Sequence, residues 1–182
     1  AAQTLAARLG GETRRLDGAP QPSLECALLL LYGHGTFDHR DPHASGIRYA
    51  DGSGAVRRLA AADLARSGMR ADVAIAAACE SGRARASRGD ALFGYRRALL
   101  GVSRCAVSTL WSVYEPATAG IVRALLNGMA EGSPAPDALR AAQLAAMSGQ
   151  LEAIGYDPAH PFYWAGLVCA GEPIALVPET RG

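Results

Sequence analysis

Cys26-Ala27-Leu28-Leu29-Leu30-Leu31-Tyr32-Gly33-His34-Gly35 and Ala71-Asp72-Val73-Ala74-Ile75-Ala76-Ala77-Ala78-Cys79-Glu80-Ser81-Gly82 share one construction. Each is an apolar run that ends on a reactive side chain and a small-residue turn. An apolar run of this length, without polar alternation, suits a strand covered on both faces, as in a parallel sheet. In open α/β sheets, reactive groups collect where the carboxyl ends of the strands meet solvent. The two runs therefore predict an imidazole and a thiol side by side at one sheet edge. That is the arrangement of a cysteine nucleophile with a histidine base.

Outward from these strands, turn and cap residues divide the rest of the chain. Residues 1–10 have helical composition and stop at Gly10-Gly11. Residues 12–23 read as a short strand and a loop. Ile47–Ala50 and Ala55–Leu59 flank Asp51-Gly52-Ser53-Gly54 as a hairpin, followed by a short helix over Ala60–Ser67. Asp90 heads a helix over Ala91–Leu100, its carboxylate matched to the helix dipole, and Ser103–Trp111 is a third strand. A helix opens at Glu115 with Pro116 in its first turn and runs to Glu131. Another runs from Ser133 to Met147, and Phe162–Ala170 reads as a last strand. Strands alternating with helices predict an α/β fold: a mostly parallel central sheet with helices on both faces, in one domain over residues 1–182. The sequence opens on Ala1 inside a helix-like segment, which reads as part of a longer protein with an N-terminal region before it.

Composition narrows the function. The 182 residues suffice for one domain with a sizeable core. Apolar residues make up 49% and charged residues 19%, ordinary for a globular chain, and the net charge of +1 gives no electrostatic case for nucleic acid or an acidic membrane. No apolar run has membrane length. All eighteen basic residues are arginine, from which no functional conclusion is drawn. The four cysteines, Cys26, Cys79, Cys105 and Cys169, are too scattered for a disulfide framework or a metal site, so a reducing, cytoplasmic compartment is expected. His39 and His43 lie with Asp38 and Asp41 in one loop, but their spacing fits no metal template. His160, before Pro161, suits a local hydrogen bond. Gly-x-Ser-x-Gly and phosphate-binding glycine motifs are absent from the sequence. Neither metal nor cofactor is expected.

The chemistry assigned to the pair is specific. Cys79 is the nucleophile, its thiolate favoured beside an imidazolium. His34 is the base for the thiol and the acid for the leaving amine. The N–H groups of Gly35 and Cys79 are the candidate oxyanion donors, glycine allowing close backbone approach. A single cysteine at a strand end is usually a small core side chain, so the inference rests on the pair.

Further blocks join this pair, in order. Ser45-Gly46-Ile47-Arg48-Tyr49-Ala50-Asp51-Gly52 follows the histidine, and Gly89-Asp90-Ala91-Leu92-Phe93-Gly94 follows Ala78-Cys79-Glu80-Ser81-Gly82. Ser108-Thr109-Leu110-Trp111-Ser112-Val113-Tyr114-Glu115, Ala138-Leu139-Arg140-Ala141-Ala142-Gln143 and His160-Pro161-Phe162-Tyr163-Trp164-Ala165-Gly166 complete the set. Together they resemble the CHAT domain, a caspase-like peptidase domain often attached to TPR repeats and related to separases. The resemblance implies the three-layer caspase–haemoglobinase fold and a His34–Cys79 dyad. It also implies endopeptidase activity on a protein substrate, in bacterial defence or cell-death signalling, under control of an N-terminal repeat or sensor region or an activating protein partner. It makes Ser108, Thr109, Leu110 and Trp111 candidates for pairing with a substrate strand and lining its pocket. Glu115 would favour a basic side chain in that substrate. Arg83, in an arginine-crowded loop with Arg85 and Arg88, would favour an acidic one or simply be solvated. A catalytically silent scaffold or interaction module on the same fold is the alternative, against which an intact His34 and Cys79 argue.

Overall fold

A computed structural model describes residues 24–36, 45–50, 53–78, 90–112, 114–151 and 155–176, with single positions 3, 6, 7 and 12. The expected helix over residues 1–10 and the strand within 12–23 fall almost wholly outside the described residues.

Among the described residues, six strands form one sheet: β1 (Glu25–Thr36), β2 (Gly46–Ala50), β3 (Val56–Ala60), β4 (Arg70–Ala78), β5 (Ser103–Thr109) and β6 (Leu167–Gly171). Their order is β3-β2-β1-β4-β5-β6. Helices α1 (Ala61–Arg66) and α2 (Asp90–Val102) pack on one face, and α3 (Glu115–Ala130) and α4 (Ala135–Met147) on the other. A short α5 (Pro161–Trp164) precedes β6. The three layers and the helices on both faces agree with the sequence reading.

The mostly parallel sheet does not. β4 pairs in parallel with β1 and β5, whereas β1–β2, β2–β3 and β5–β6 are antiparallel. The sheet is mixed, for two physical reasons. One helix between strands returns the chain to the edge where it began and gives a parallel neighbour. Between β5 and β6 stand two long helices, α3 and α4, so the chain re-enters the sheet from the opposite edge. At the other end, β1 runs on to Thr36 and its last three residues pair with Gly46, Ile47 and Arg48, which draws the hairpin into the same sheet. Two glycines permit that junction. A Cβ on Gly46 would lie 2.5 Å from the Leu59 carbonyl oxygen, and one on Gly33 would lie 2.7 Å from that of Arg48.

The alternation along β4 shows why the centre of the sheet needs no polar residue. Val73, Ile75 and Ala77 face α3 and α4, while Ala74, Ala76 and Ala78 face α1 and α2. On α3, Ile121, Val122, Leu125, Leu126 and Met129 form a buried stripe at helical spacing. Fully burying each large apolar side chain contributes about 1.5–3 kcal/mol. Gly132, at φ +93°, turns the chain from α3 into α4, and Gly128 lets Ala138 approach closely.

The expected strand over Phe162–Ala170 is half right. Its first part is the helical turn α5, because Pro161 fixes a helical φ at N1 and His160 Nδ1 accepts a hydrogen bond from the Phe162 N–H at 3.2 Å. This is the local role expected for His160. Gln143 of α4 then fastens the turn to β6, its Nε2 donating to the carbonyls of Trp164 and Leu167 at 3.1 and 2.9 Å.

Candidate active site

The parallel register of β1 and β4 runs from Glu25 beside Arg70 to Gly33 beside Ala78. His34 is the next residue of β1, still within the strand, and its side chain is exposed. Cys79 is the next residue in sequence after Ala78. It lies outside the described residues, as does Arg83. Side-chain alternation fixes the face on which His34 sits. Leu28 and Leu30 pack with the α3–α4 core and Leu29 with the α1–α2 core, so Tyr32 and His34 share the α3 side. The Tyr32 phenol agrees, donating to Glu115 Oε1 at the start of α3 at 3.3 Å.

Gly35 is buried and stands in register with Ile47 of β2. Ser108 and Thr109 are also buried, inside β5, with β6 already alongside: Ser108 pairs with Val168 and Thr109 with Leu167. Leu110 continues the contact, its N–H donating to the Gly166 carbonyl at 2.7 Å. An added substrate strand therefore finds these positions occupied on the β6 side. Thr109 Oγ1 instead donates to the Ala78 carbonyl at 3.5 Å, tying β5 to the end of β4. Trp111, half-buried beyond the strand, donates from Nε1 to the Phe162 carbonyl at 3.1 Å.

Beside Glu115 the structure brings together side chains that the sequence did not single out. Tyr114, Tyr156 and Tyr163 pack edge-to-face or tilted, with ring centroids 4.8–6.1 Å apart. Phe162 and His160 extend the group through Tyr163. Burial, then the neighbouring phenols of Tyr114 and Tyr163, push the Tyr156 phenol above its ordinary range. Tyr32, Leu110, Tyr114 and Phe162 remain 36–47% exposed, so the carboxyl edge of the sheet carries a fixed aromatic and apolar surface. Tyr114 lies more than forty residues from Tyr156 and Tyr163, so no local sequence signal joins it to them.

Across β1 from β4, a second group missed by the sequence reading appears. Arg48 of β2 stands directly opposite His34, and Arg58 of β3 directly opposite Arg48. Both are exposed.

The remaining thiols are poor nucleophiles. Burial, then Asp72, raises Cys26. Cys105 and Cys169 touch, Sγ to Sγ, at 3.3 Å. That contact favours the thiolate on Cys105, which is buried beyond reach of solvent, and holds Cys169 protonated far above the ordinary thiol range. His39, His43, Asp38 and Asp41 lie outside the described residues. No described helix is long and apolar enough to cross a membrane.

Comparison with curated proteins finds no match. The sequence model of the CHAT domain matches residues 16–172, a span that holds all six strands, His34 and Cys79. By that match the chain belongs to the CHAT domain family, a caspase-like family related to peptidases.

Proposed function

We infer that the protein is a cysteine endopeptidase whose dyad is His34 and Cys79. The observation that carries this reading is the β1–β4 register. Gly33 stands beside Ala78, and His34 and Cys79 are the residues that follow them in sequence. His34 lies on the α3 side of the sheet, the side on which Val73, Ile75 and Ala77 of β4 are buried. Membership of a caspase-like family supports the same pair.

In the reaction, His34 takes the thiol proton and Cys79 Sγ attacks the scissile carbonyl. Backbone N–H groups of Cys79 and Gly35 receive the developing oxyanion, and the imidazolium returns its proton to the leaving amine. Water, deprotonated by the same imidazole, then releases the acid and restores the thiol. The aromatic surface around Tyr114 would hold part of the peptide near the cut, with Trp111 and Glu115 at its margin. A protein substrate, a reducing cytoplasmic setting and control by an N-terminal repeat region or a protein partner belong to the same proposal.

Digestion of a proteome-derived peptide library by the full chain tests it, with cleavage sites read by mass spectrometry. Wild type is expected to cut at sites sharing a side-chain preference, and Cys79→Ala and His34→Ala to leave the library intact. Equal cutting by Cys79→Ala would overturn the assignment.

A further inference from the structure

His34, Arg48 and Arg58 lie in one lateral row across β1, β2 and β3. Residues directly opposite on antiparallel strands share a face. That face is the α3 side, because Ile47 and Leu59, the neighbours of Arg48 and Arg58 in sequence, are buried on the α1–α2 side. The row is open to solvent: Arg48 and Arg58 are exposed, and Val56 beside them on β3 is 63% exposed. Helices α3 and α4 bury their stripes against β4, β5 and β6, so they do not bury this part of the sheet.

Two guanidinium groups directly opposite one another repel, and such like-charge pairs destabilise a sheet. Two other arginines have carboxylates in reach. Arg66 meets Asp63 at 3.0 Å, and Arg104 meets Glu172 at 2.7 Å and Asp72 at 3.5 Å. Among the described residues, neither Arg48 nor Arg58 meets a carboxylate. A local rule broken without a folding gain is a mark of function, and a guanidinium pair suits bidentate capture of carboxylate groups.

We propose that Arg48 and Arg58 form a docking lane for an acidic segment of the protein substrate, beside the bond held at His34. Strands lie about 4.8 Å apart, so Arg58 stands about 10 Å from His34. An extended peptide advances about 3.3 Å per residue, so the lane reads aspartate or glutamate within about three residues of the cut. This deepens the peptidase reading and depends on it only for what lies next to the lane.

Binding tests the lane without relying on turnover. The full chain with Cys79→Ala is presented with pools of fluorescein-labelled decapeptides in which one position at a time is Glu, Gln or Lys, at low salt. The Glu pool is expected to bind about tenfold more tightly than the Gln pool at one or more positions, in line with hydrogen bonds between charged partners. The preference is expected to vanish in Arg48→Gln/Arg58→Gln and to survive in part in Arg48→Lys/Arg58→Lys. Arg57→Gln, on the opposite face of the same strand, is expected to retain it. Equal binding of the Glu and Gln pools, or a preference untouched by the double substitution, overturns the lane. So does tighter binding of a single-stranded oligonucleotide of matched charge. A Glu preference in a protein that never cleaves would leave the lane standing and break the dyad, and cleavage without a Glu preference would do the reverse.

Discussion

The parallel half of the sheet and its antiparallel extension are built on opposite plans. In β4 and β5 the side chains go inward on both faces: Val73, Ile75 and Cys105 are wholly buried, and helices cover each side. In β2 and β3 only one face is spent on the core, through Ile47 and Leu59, while the other carries Arg48, Val56 and Arg58 into solvent. His34 sits on the strand that the two regions share, with Gly33 ahead of it in the parallel ladder and Arg48 opposite it in the antiparallel one. Stability is thus concentrated on one side of the histidine and recognition chemistry on the other. A reactive side chain gains from that division: one flank holds it rigid, and the other is free to vary in charge.

The contrast can be broken most forcefully from the core. Ile75→Ala, in the centre of β4, is expected to cost about 3–4 kcal/mol, read from the denaturant midpoint of the full chain. A loss below 1 kcal/mol would mean that the parallel half is not the stable one. Next comes the junction. Gly33→Ala forces a Cβ onto the Arg48 carbonyl and is expected to cost about 1–3 kcal/mol, together with weaker protection of β2 amides from hydrogen exchange. Undisturbed β2 protection would separate the hairpin from the junction.

A smaller effect of opposite sign is expected at Tyr95 of α2. Its hydroxyl is buried with no partner among the described residues, and burial holds the phenol far above its ordinary pKa. Tyr95→Phe should leave stability unchanged or raise it by about 1 kcal/mol, since an unsatisfied hydroxyl costs about that much. A clear loss of stability would place a hydrogen-bond partner in a neighbouring segment. Smallest of all, Val56→Ala on the exposed face of β3 should change stability by less than about 0.5 kcal/mol. A cost near that of Ile75→Ala would erase the contrast.

What could be read in the sequence follows the same division. Apolar runs bounded by small residues announced β1 and β4, because a strand covered on both faces leaves a compositional trace. The hairpin was visible in its turn residues, but its place in the main sheet was not. Short polar strands choose partners through register and close approach at Gly33 and Gly46, which composition does not record. The orientation of β6 depended on there being two helices before it, where strand–helix alternation suggested a parallel neighbour. Arg48 lay inside a recognised block, yet its face follows from the pairing with His34. The tyrosine cluster depends on tertiary packing alone. His34 and Cys79 stood out because each closes an apolar run, and the register sets Gly33 and Ala78, the residues before them, side by side.

Thiol chemistry tests the dyad most directly. The full chain is treated with a thiol-reactive peptide probe, and the alkylation rate of each cysteine is followed by mass spectrometry from pH 6 to 10 in wild type and His34→Ala. Cys26, raised by burial and Asp72, and Cys169, raised by its contact with Cys105 and by burial, stay protonated through neutral pH and should react more slowly than an ordinary thiol of pKa near 8.5. The account predicts that Cys79 reacts first at neutral pH and is slowed about a hundredfold or more by His34→Ala, with the other three unchanged. A Cys79 that reacts no faster than Cys26, or at the same rate without His34, would contradict it.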